Sequence, residues 1–273
     1  MGADNIIPSC RWIIIFLLLS CTEKYPSTEV NSMFTLLPSV YTGIDFENTL
    51  MDEAGFNVFK YRNYYNGGGV AIGDINSDYL PDVYLVANNK SNRLYINKGN
   101  MQFKDVTKDA GVAGSHKWST GVCMVDINGD GLLDIYVCNS GNIKGDSRAN
   151  ELFINQGSES GEIPTFIEAA TDYGIDDNSF STHAAFFDYD NDGDLDLYVL
   201  NNAFRAISTF DLSKNLRHKR DLYGGDKLYR NDGGVFKDVS EITGIYGSVI
   251  GFGLGLMVAD VNNDNWMDIY VAN

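Results

Sequence analysis

An all-β chain built from repeated four-stranded units is what this sequence predicts, and three observations carry that reading. An acidic nine-residue loop recurs four times, and each copy is followed by a short run rich in β-branched and aromatic residues. The first three copies are followed further on by a second shared segment, which reads as a hairpin turn and one more strand.

The loops are Asp74-Ile-Asn76-Ser-Asp78-Tyr-Leu-Pro-Asp82, Asp126-Ile-Asn128-Gly-Asp130-Gly-Leu-Leu-Asp134, Asp188-Tyr-Asp190-Asn-Asp192-Gly-Asp-Leu-Asp196 and Asp260-Val-Asn262-Asn-Asp264-Asn-Trp-Met-Asp268, all of the form D-x-[DN]-x-D-x-x-x-D. Side-chain oxygens at positions one, three, five and nine, with a backbone carbonyl at seven, can surround a hard cation that takes six to eight oxygens. Ca2+ is the expected occupant, at three or four sites. An EF-hand loop would instead sit between helices and end in a bidentate Glu at position twelve. Position twelve here is Leu85, Val137, Val199 and Val271, so position nine must supply the closing carboxylate.

The net charge is −17, and the loops hold 14 Asp with no Lys or Arg, which leaves only −3 for the rest of the chain. Carboxylates crowded in this way repel one another when no cation is present. The acidic balance lacks the broad basic footprint that phosphate binding needs, which argues against nucleic acid as a partner. With 273 residues, 44% of them hydrophobic, the chain can bury a sizeable core.

In chain order, Arg11 precedes the apolar run Trp12 to Leu19, which is too short to span a bilayer but suits the h-region of a secretory signal. Leu18-Leu19-Ser20-Cys21 resembles the bacterial lipobox, which implies a signal over residues 1–21 with lipidation of Cys21; ordinary cleavage nearby is the alternative. Residues 22–33 read as a polar tether. The expectation is an exported protein of a Gram-negative outer membrane or cell surface, touching the membrane through the anchor alone.

The repeat region spans 34–273. Phe34-Thr-Leu-Leu37, followed by Thr42-Gly43-Ile44, reads as the last strand of a unit. The runs starting at Asp82, Asp134, Asp196 and Asp268 are strand-like, so each loop joins two strands in a cation-clamped hairpin. Next come Leu94-Tyr95-Ile-Asn97-Lys-Gly99, Leu152-Phe153-Ile-Asn155-Gln-Gly157 and Leu228-Tyr229-Arg-Asn231-Asp-Gly233, whose Asn and Gly suggest a tight turn. A strand led by Phe103, Phe166 or Phe236 follows, with Gly111, Gly174 or Gly244 eight residues on. Loop starts lie 52, 62 and 72 residues apart, and four-stranded units at such a period indicate a β-propeller. The half-built last unit gives the expectation of an incomplete, N-terminal part of a longer propeller.

Cys123 and Cys138 flank the second loop, where they could face each other across its hairpin. A disulfide is permitted after export. The matching positions elsewhere, Ala71 and Val86, Ala185 and Leu200, Met257 and Ala272, are small or apolar and suit two buried thiols; both readings stand. The insertion from Asn202 to Gly224 carries Lys214, Arg217, His218, Lys219 and Arg220, either a contact for an anionic sugar or acidic surface, or a solvated loop. Just upstream of the loops stand Arg62, Tyr64 and Tyr65, then His116, Lys117 and Trp118, then His183. They either converge on a central channel as ligand-binding residues or pack.

The loop with its Gly at position six, the preceding Gly69-Val-Ala-Ile-Gly73, the following Leu-Tyr-x-Asn-x-Gly and the Phe-x-Asp-Val-Thr strand together resemble the FG-GAP or VCBS repeat. The chain is similar to bacterial surface proteins that carry an ASPIC and UnbV domain, to cartilage acidic protein and, more distantly, to the integrin α propeller. The resemblance implies a seven-bladed propeller, calcium in the hairpin loops and a role in adhesion or ligand binding. It also implies Gly at position six, kept as Gly131 and Gly193 but replaced by Tyr79 and Asn265. Where φ is positive Asn is tolerated and Tyr poorly so, which puts the first site in doubt. The third loop, with four acidic ligands, is expected to bind most tightly.

No G-x-S-x-G, H-E-x-x-H or Gly-rich phosphate loop is present. The leading expectation is a calcium-stabilised, non-enzymatic cell-surface propeller that binds a protein or a glycan. The alternatives are a lyase-like polysaccharide enzyme using Lys117, His116, Arg62 or a channel Tyr, and a structural subunit of an outer-membrane assembly.

Overall fold

Alternating and β-branched segments pair here into antiparallel meanders, each in chain order. The structure, a computed structural model, describes residues 33–141, 143–158, 163–204 and 214–273. β1 (Val70–Gly73), β2 (Asp82–Leu85), β3 (Arg93–Asn97) and β4 (Phe103–Asp105) form the first sheet. β5 (Ser119–Val125), β6 (Asp134–Asn139), β7 (Glu151–Asn155) and β8 (Phe166–Glu168) form the second. The third comprises β9 (Ser181–Phe187), β10 (Asp196–Asn201), β11 (Lys227–Asn231) and β12 (Phe236–Asp238), and β13 (Gly255–Ala259) pairs with β14 (Asp268–Ala272) in the last. The fold is all-β, with the four-stranded antiparallel sheets of propeller blades.

Residues 37–273 form one unit and Met1–Leu36 another. Of the latter only 33–36 are described, and they are exposed and carry no helix or strand. The signal segment, Cys21 and most of the tether lie outside the described residues, as do 205–213 of the basic insertion. No helix among the described residues is long and apolar enough to cross a membrane.

Two expectations are corrected. No strand forms over Phe34–Leu37, which is exposed and pairs with no sheet; the chain then enters a short helix, α1 (Ser39–Thr42). Cys123 does not face Cys138, since the second loop pairs Val125 with Asp134 and so sets Cys123 opposite Tyr136 and Cys138 opposite Gly121. Both are free thiols, and Cys123 Sγ donates to the Ala184 carbonyl at 2.8 Å. The segments after β4 and β8, to which the sequence reading assigned no element, are single helical turns, α2 (Thr107–Ala110) and α3 (Ala170–Tyr173), each closed by a left-handed Gly. Their starts are held by Asp105 Oδ1, which accepts from Thr107 N at 2.9 Å, and by Glu168 Oε1, which accepts from Ala170 N at 2.9 Å.

Each second strand packs with period two. Ile135 and Val137 meet the first blade's Tyr84, Leu94 and Ile96, whereas Tyr136 and Cys138 meet the third blade's Leu197 and Val199. Tyr198 and Leu200 in turn receive Ile269 and Val271 of the last sheet. Burial on both faces explains why β6 and β10 are buried along their whole length. The buried Tyr84 and Tyr136 satisfy their hydroxyls on the Val112 and Ile175 carbonyls, at 2.6 and 2.9 Å.

The first strands, β1, β5, β9 and β13, lie side by side in order. Thr120 Oγ1 donates to the Ser181 carbonyl at 2.8 Å, and Thr182 Oγ1 to the Gly253 carbonyl at 3.0 Å, linking successive blades along this inner edge. A Cβ at Gly121 would stand 2.5 Å from the Thr182 carbonyl oxygen and 2.9 Å from His183 Cα, so this approach needs glycine.

A strap over residues 45–66 crosses one end of the blades. Asn48 and Asn88 exchange two hydrogen bonds at 2.9 and 3.0 Å, and the Tyr61 hydroxyl lies 2.9 Å from Ser140 Oγ. Arg62 Nη2 donates to Asn202 Oδ1 and the Ala203 carbonyl at 2.9 and 3.2 Å, and its guanidinium sits 3.9 Å over the Phe252 ring.

Gly121→Ala is expected to lower unfolding stability by ~1–3 kcal/mol, the usual cost of overpacking. Gly55→Ala, where nothing stands within 4 Å, should stay within ~0.5 kcal/mol of the parent. Urea unfolding of both variants checks the pair.

Candidate metal centres

All four loops fold the same way around their first aspartate. Oδ1 of Asp74, Asp126, Asp188 and Asp260 accepts from the backbone N–H of position five at 3.0, 3.1, 3.2 and 3.2 Å. Oδ2 of the same residues accepts from position six at 2.8, 2.9, 3.0 and 3.0 Å. Position five, at Asp78, Asp130, Asp192 and Asp264, accepts from the N–H of position seven at 2.9, 2.8, 3.2 and 2.9 Å.

Winding the chain this tightly requires positive φ at position six, found at Tyr79 (67°), Gly131 (86°), Gly193 (100°) and Asn265 (68°). It also requires positive φ at position four, at Ser77, Gly129, Asn191 and Asn263, a demand the motif reading missed. The Tyr79 ring points to solvent, 94% exposed, so it contributes no packing that would offset its backbone strain.

Position nine ties the loop to the blade. Asp82, Asp134 and Asp196 are buried, and Oδ2 of each accepts from the N–H of position two at 2.9, 3.1 and 2.9 Å. Oδ1 accepts from the backbone of Asn97, Asn155 and Asn231 on the third strands, at 2.7, 2.8 and 2.8 Å. Those same asparagines donate Nδ2 to the carbonyl of position eight, at Pro81, Leu133 and Leu195. Sequence reasoning took the Leu-Tyr-x-Asn-x-Gly segment for a turn; its Asn is also the outer support of the loop. Asp268 keeps the bond from position two, Val261 N, at 3.0 Å.

Position three separates the loops. Asn76, Asn128 and Asn262 each donate Nδ2 to the position-five carboxylate at 3.0 Å. Asp190 has no N–H to give, and its Oδ1 is buried without a hydrogen-bond partner, as is Oδ1 of Asp194. Asp188, Asp190 and Asp196 each present an oxygen within 4.8 Å of the other two, a cluster that could hold a metal ion. Orphaned buried carboxylate oxygens beside such a cluster fit a hard cation. Burial pushes the carboxyls of Asp82, Asp134 and Asp196 up to about 6; neighbouring loop carboxylates add to this, and the two backbone N–H bonds oppose it.

The other candidate residues are dispersed. Tyr64 and Trp118 are fully buried in an aromatic cluster where the strap's Phe56, Tyr61 and Tyr64 pack with Trp118 and Phe180. The Tyr64 hydroxyl donates to the Met51 carbonyl, and Tyr65 lies edge-on to Tyr64 and is largely exposed. His116 Nδ1 is 3.3 Å from Asp146 Oδ1. Arg217 and Arg220 line a hollow of about 230 Å3 with His218 and Tyr246, and Arg220 donates to the Ile245 and Asp226 carbonyls at 3.1 and 2.8 Å. His183 alone of this group lines an axial cavity of about 410 Å3 between the first strands.

Meandering four-stranded blades, each opening on an acidic hairpin loop locked by a third-strand Asn, define a repeat class. Residues 74–137 of this chain match the model of the FG-GAP-like repeat. The chain is 32% identical over 184 residues to cartilage acidic protein 1 of Mus musculus, across 64% of this chain and 27% of that protein. It is 31% identical to the Homo sapiens protein of the same name, across 64% and 26%. The Xenopus tropicalis protein is 33% identical over 147 residues, across 54% and 21%. The chain thus spans about a quarter of the length of the curated relatives it matches.

Tyr79→Gly is expected to raise stability by up to ~1 kcal/mol, because left-handed strain of ~1–2 kcal/mol is only partly offset by glycine's entropy. Gly131→Ala should lower it by ~1 kcal/mol, both read by urea midpoints. A second outcome concerns pH. The three closing carboxyls near 6 stand above the ~4 of an unfolded Asp, so the folded chain takes up protons first as pH falls. Their contribution is fully present below ~4 and lost as pH rises through about 6. In chelator, unfolding free energy at pH 5 should therefore exceed that at pH 7.

Proposed function

We propose that this protein is a calcium-braced propeller that binds a protein or glycan ligand, has no catalysis of its own and works at the bacterial surface. The observation that carries the reading is the third loop, where three carboxylates gather within 4.8 Å beside buried oxygens that no N–H satisfies. The other three loops repeat its backbone geometry, so Asp74, Asn76, Asp78 and Asp82, Asp126, Asn128, Asp130 and Asp134, and Asp260, Asn262, Asp264 and Asp268 make further sites of the same design. Calcium would supply a permanent counter-charge to each hairpin and nothing else; the chain's own residues wind the loop and hold it to the third strand. In the brace the carboxylates stay ionised, which makes them poor acids or bases.

Two residues of the lyase alternative are engaged elsewhere, His116 with Asp146 and Arg62 with Asn202 and Phe252, and neither lines the axial cavity. That supports binding over catalysis. Export with a lipid on Cys21 rests on Arg11, the apolar run and the Leu-Leu-Ser-Cys sequence. Adhesion is the role in which such a rigid, anchored binding surface serves.

Calorimetric titration of the full chain should find three or four bound calcium ions. Asp196→Asn should remove one of them. Each site should stabilise the fold by ~2.7 kcal/mol at a calcium concentration a hundredfold above its Kd, so excess chelator should lower the melting temperature sharply. No binding heat together with an unchanged melt would sink the brace. Mass spectrometry of the mature N-terminus tests the anchor, which an unlipidated end would refute.

A further inference from the structure

The axial cavity sits where all four sheets converge, walled by Gly69, Thr120, Thr182 and Leu254 and floored by the strap through Tyr61 and Asn63. At about 410 Å3 it falls within the ~300–1,000 Å3 of small-molecule sites. Although 21% of the chain is charged, no Asp, Glu, Lys or Arg among the described residues lines this cavity. The lining does offer neutral hydrogen-bonding groups with capacity to spare.

Asn63 is nine-tenths buried and spends one interaction on the Tyr61 hydroxyl. The amide of Asn66 stands on the same floor. His183 Nδ1 accepts from Ala184 N at 2.9 Å, which leaves the proton on Nε2 as a donor. Burial lowers the His183 pKa, so the ring is neutral at physiological pH. Among the described residues the backbone N–H groups of Gly67, Gly68 and Gly69 donate to nothing in the chain. The glycines themselves have a packing reason: a Cβ at Gly68 would stand 2.0 Å from the Val86 carbonyl oxygen, and one at Gly69 3.1 Å from Gly121 Cα. These three glycines line the cavity, and no side chain there covers their backbone.

We propose that this cavity binds an uncharged, hydroxyl-rich ligand the size of one or two sugar residues, the end of a neutral glycan. Amides, a neutral imidazole and backbone N–H groups match hydroxyl and ring oxygens, and no fixed charge is present to hold a uronate or a phosphate. The inference rests on the binding reading above and narrows its ligand to neutral glycan.

The test is an array of neutral and uronate-containing oligosaccharides probed with the full chain in calcium, followed by titration of the best neutral binder. Leu254→Trp fills the cavity from a half-exposed position and should weaken binding at least tenfold while leaving calcium titration and melting unchanged. His183→Ala should weaken it about tenfold. Preference for uronates, no binding to the array, or neutral binding indifferent to Leu254→Trp would each overturn the cavity site. None of these would touch the calcium brace, whose failure shows instead in the metal titration.

Discussion

A buried carboxylate closes each of the first three loops, and the blade is organised around it. Asp82, Asp134 and Asp196 take backbone N–H groups from two directions, one from inside their own loop and one from the third strand. Bonds to an ionised acceptor are stronger than neutral ones, and these sit where water cannot compete. No lysine or arginine is paired with the three carboxylates among the described residues, so their charge is balanced only by what the loop gathers. In the proposed brace, a cation would supply that balance, and its capture would be coupled to folding of the hairpin.

The second constraint is that a blade is a sheet with two buried faces. Residues alternating along β6 and β10 pack against different neighbours, so no blade between others is stable alone. The inner edge shows how close that packing becomes. There, glycines bring the first strands to van der Waals contact, and threonine hydroxyls pass hydrogen bonds from one blade to the next. The same closeness leaves a small, uncharged hollow on the axis.

Much of this was legible in the sequence because it is periodic. Loop carboxylates at fixed spacing, the strands after them and the number of strands per unit all follow from side chains that must face one way. What stayed hidden depends on neighbours distant in sequence. The aromatics Tyr64 and Trp118 look the same whether they line a channel or fill a core, and only the packing of the strap, Tyr64 included, on Trp118 decides for the core. Cys123 and Cys138 were misaligned because the hairpin pairs the residue before the loop with the loop's own last aspartate. The third-strand Asn was visible as a repeated letter, yet its hydrogen bonds to the loop were not, because they join two segments 15 to 36 residues apart.

The strap also bears on the order in which the molecule assembles. Arg62 finds Asn202 and Ala203 across 140 and 141 positions of chain, and Tyr61 finds Ser140 across 79. During synthesis the strap emerges well before these partners, so the Arg62 contacts cannot form until most of the third blade is made. Long-range closure of this kind is slow compared with hairpin formation. A segment made before the first blade is thus fully locked only after the third, and until then its aromatic residues lack part of their cover.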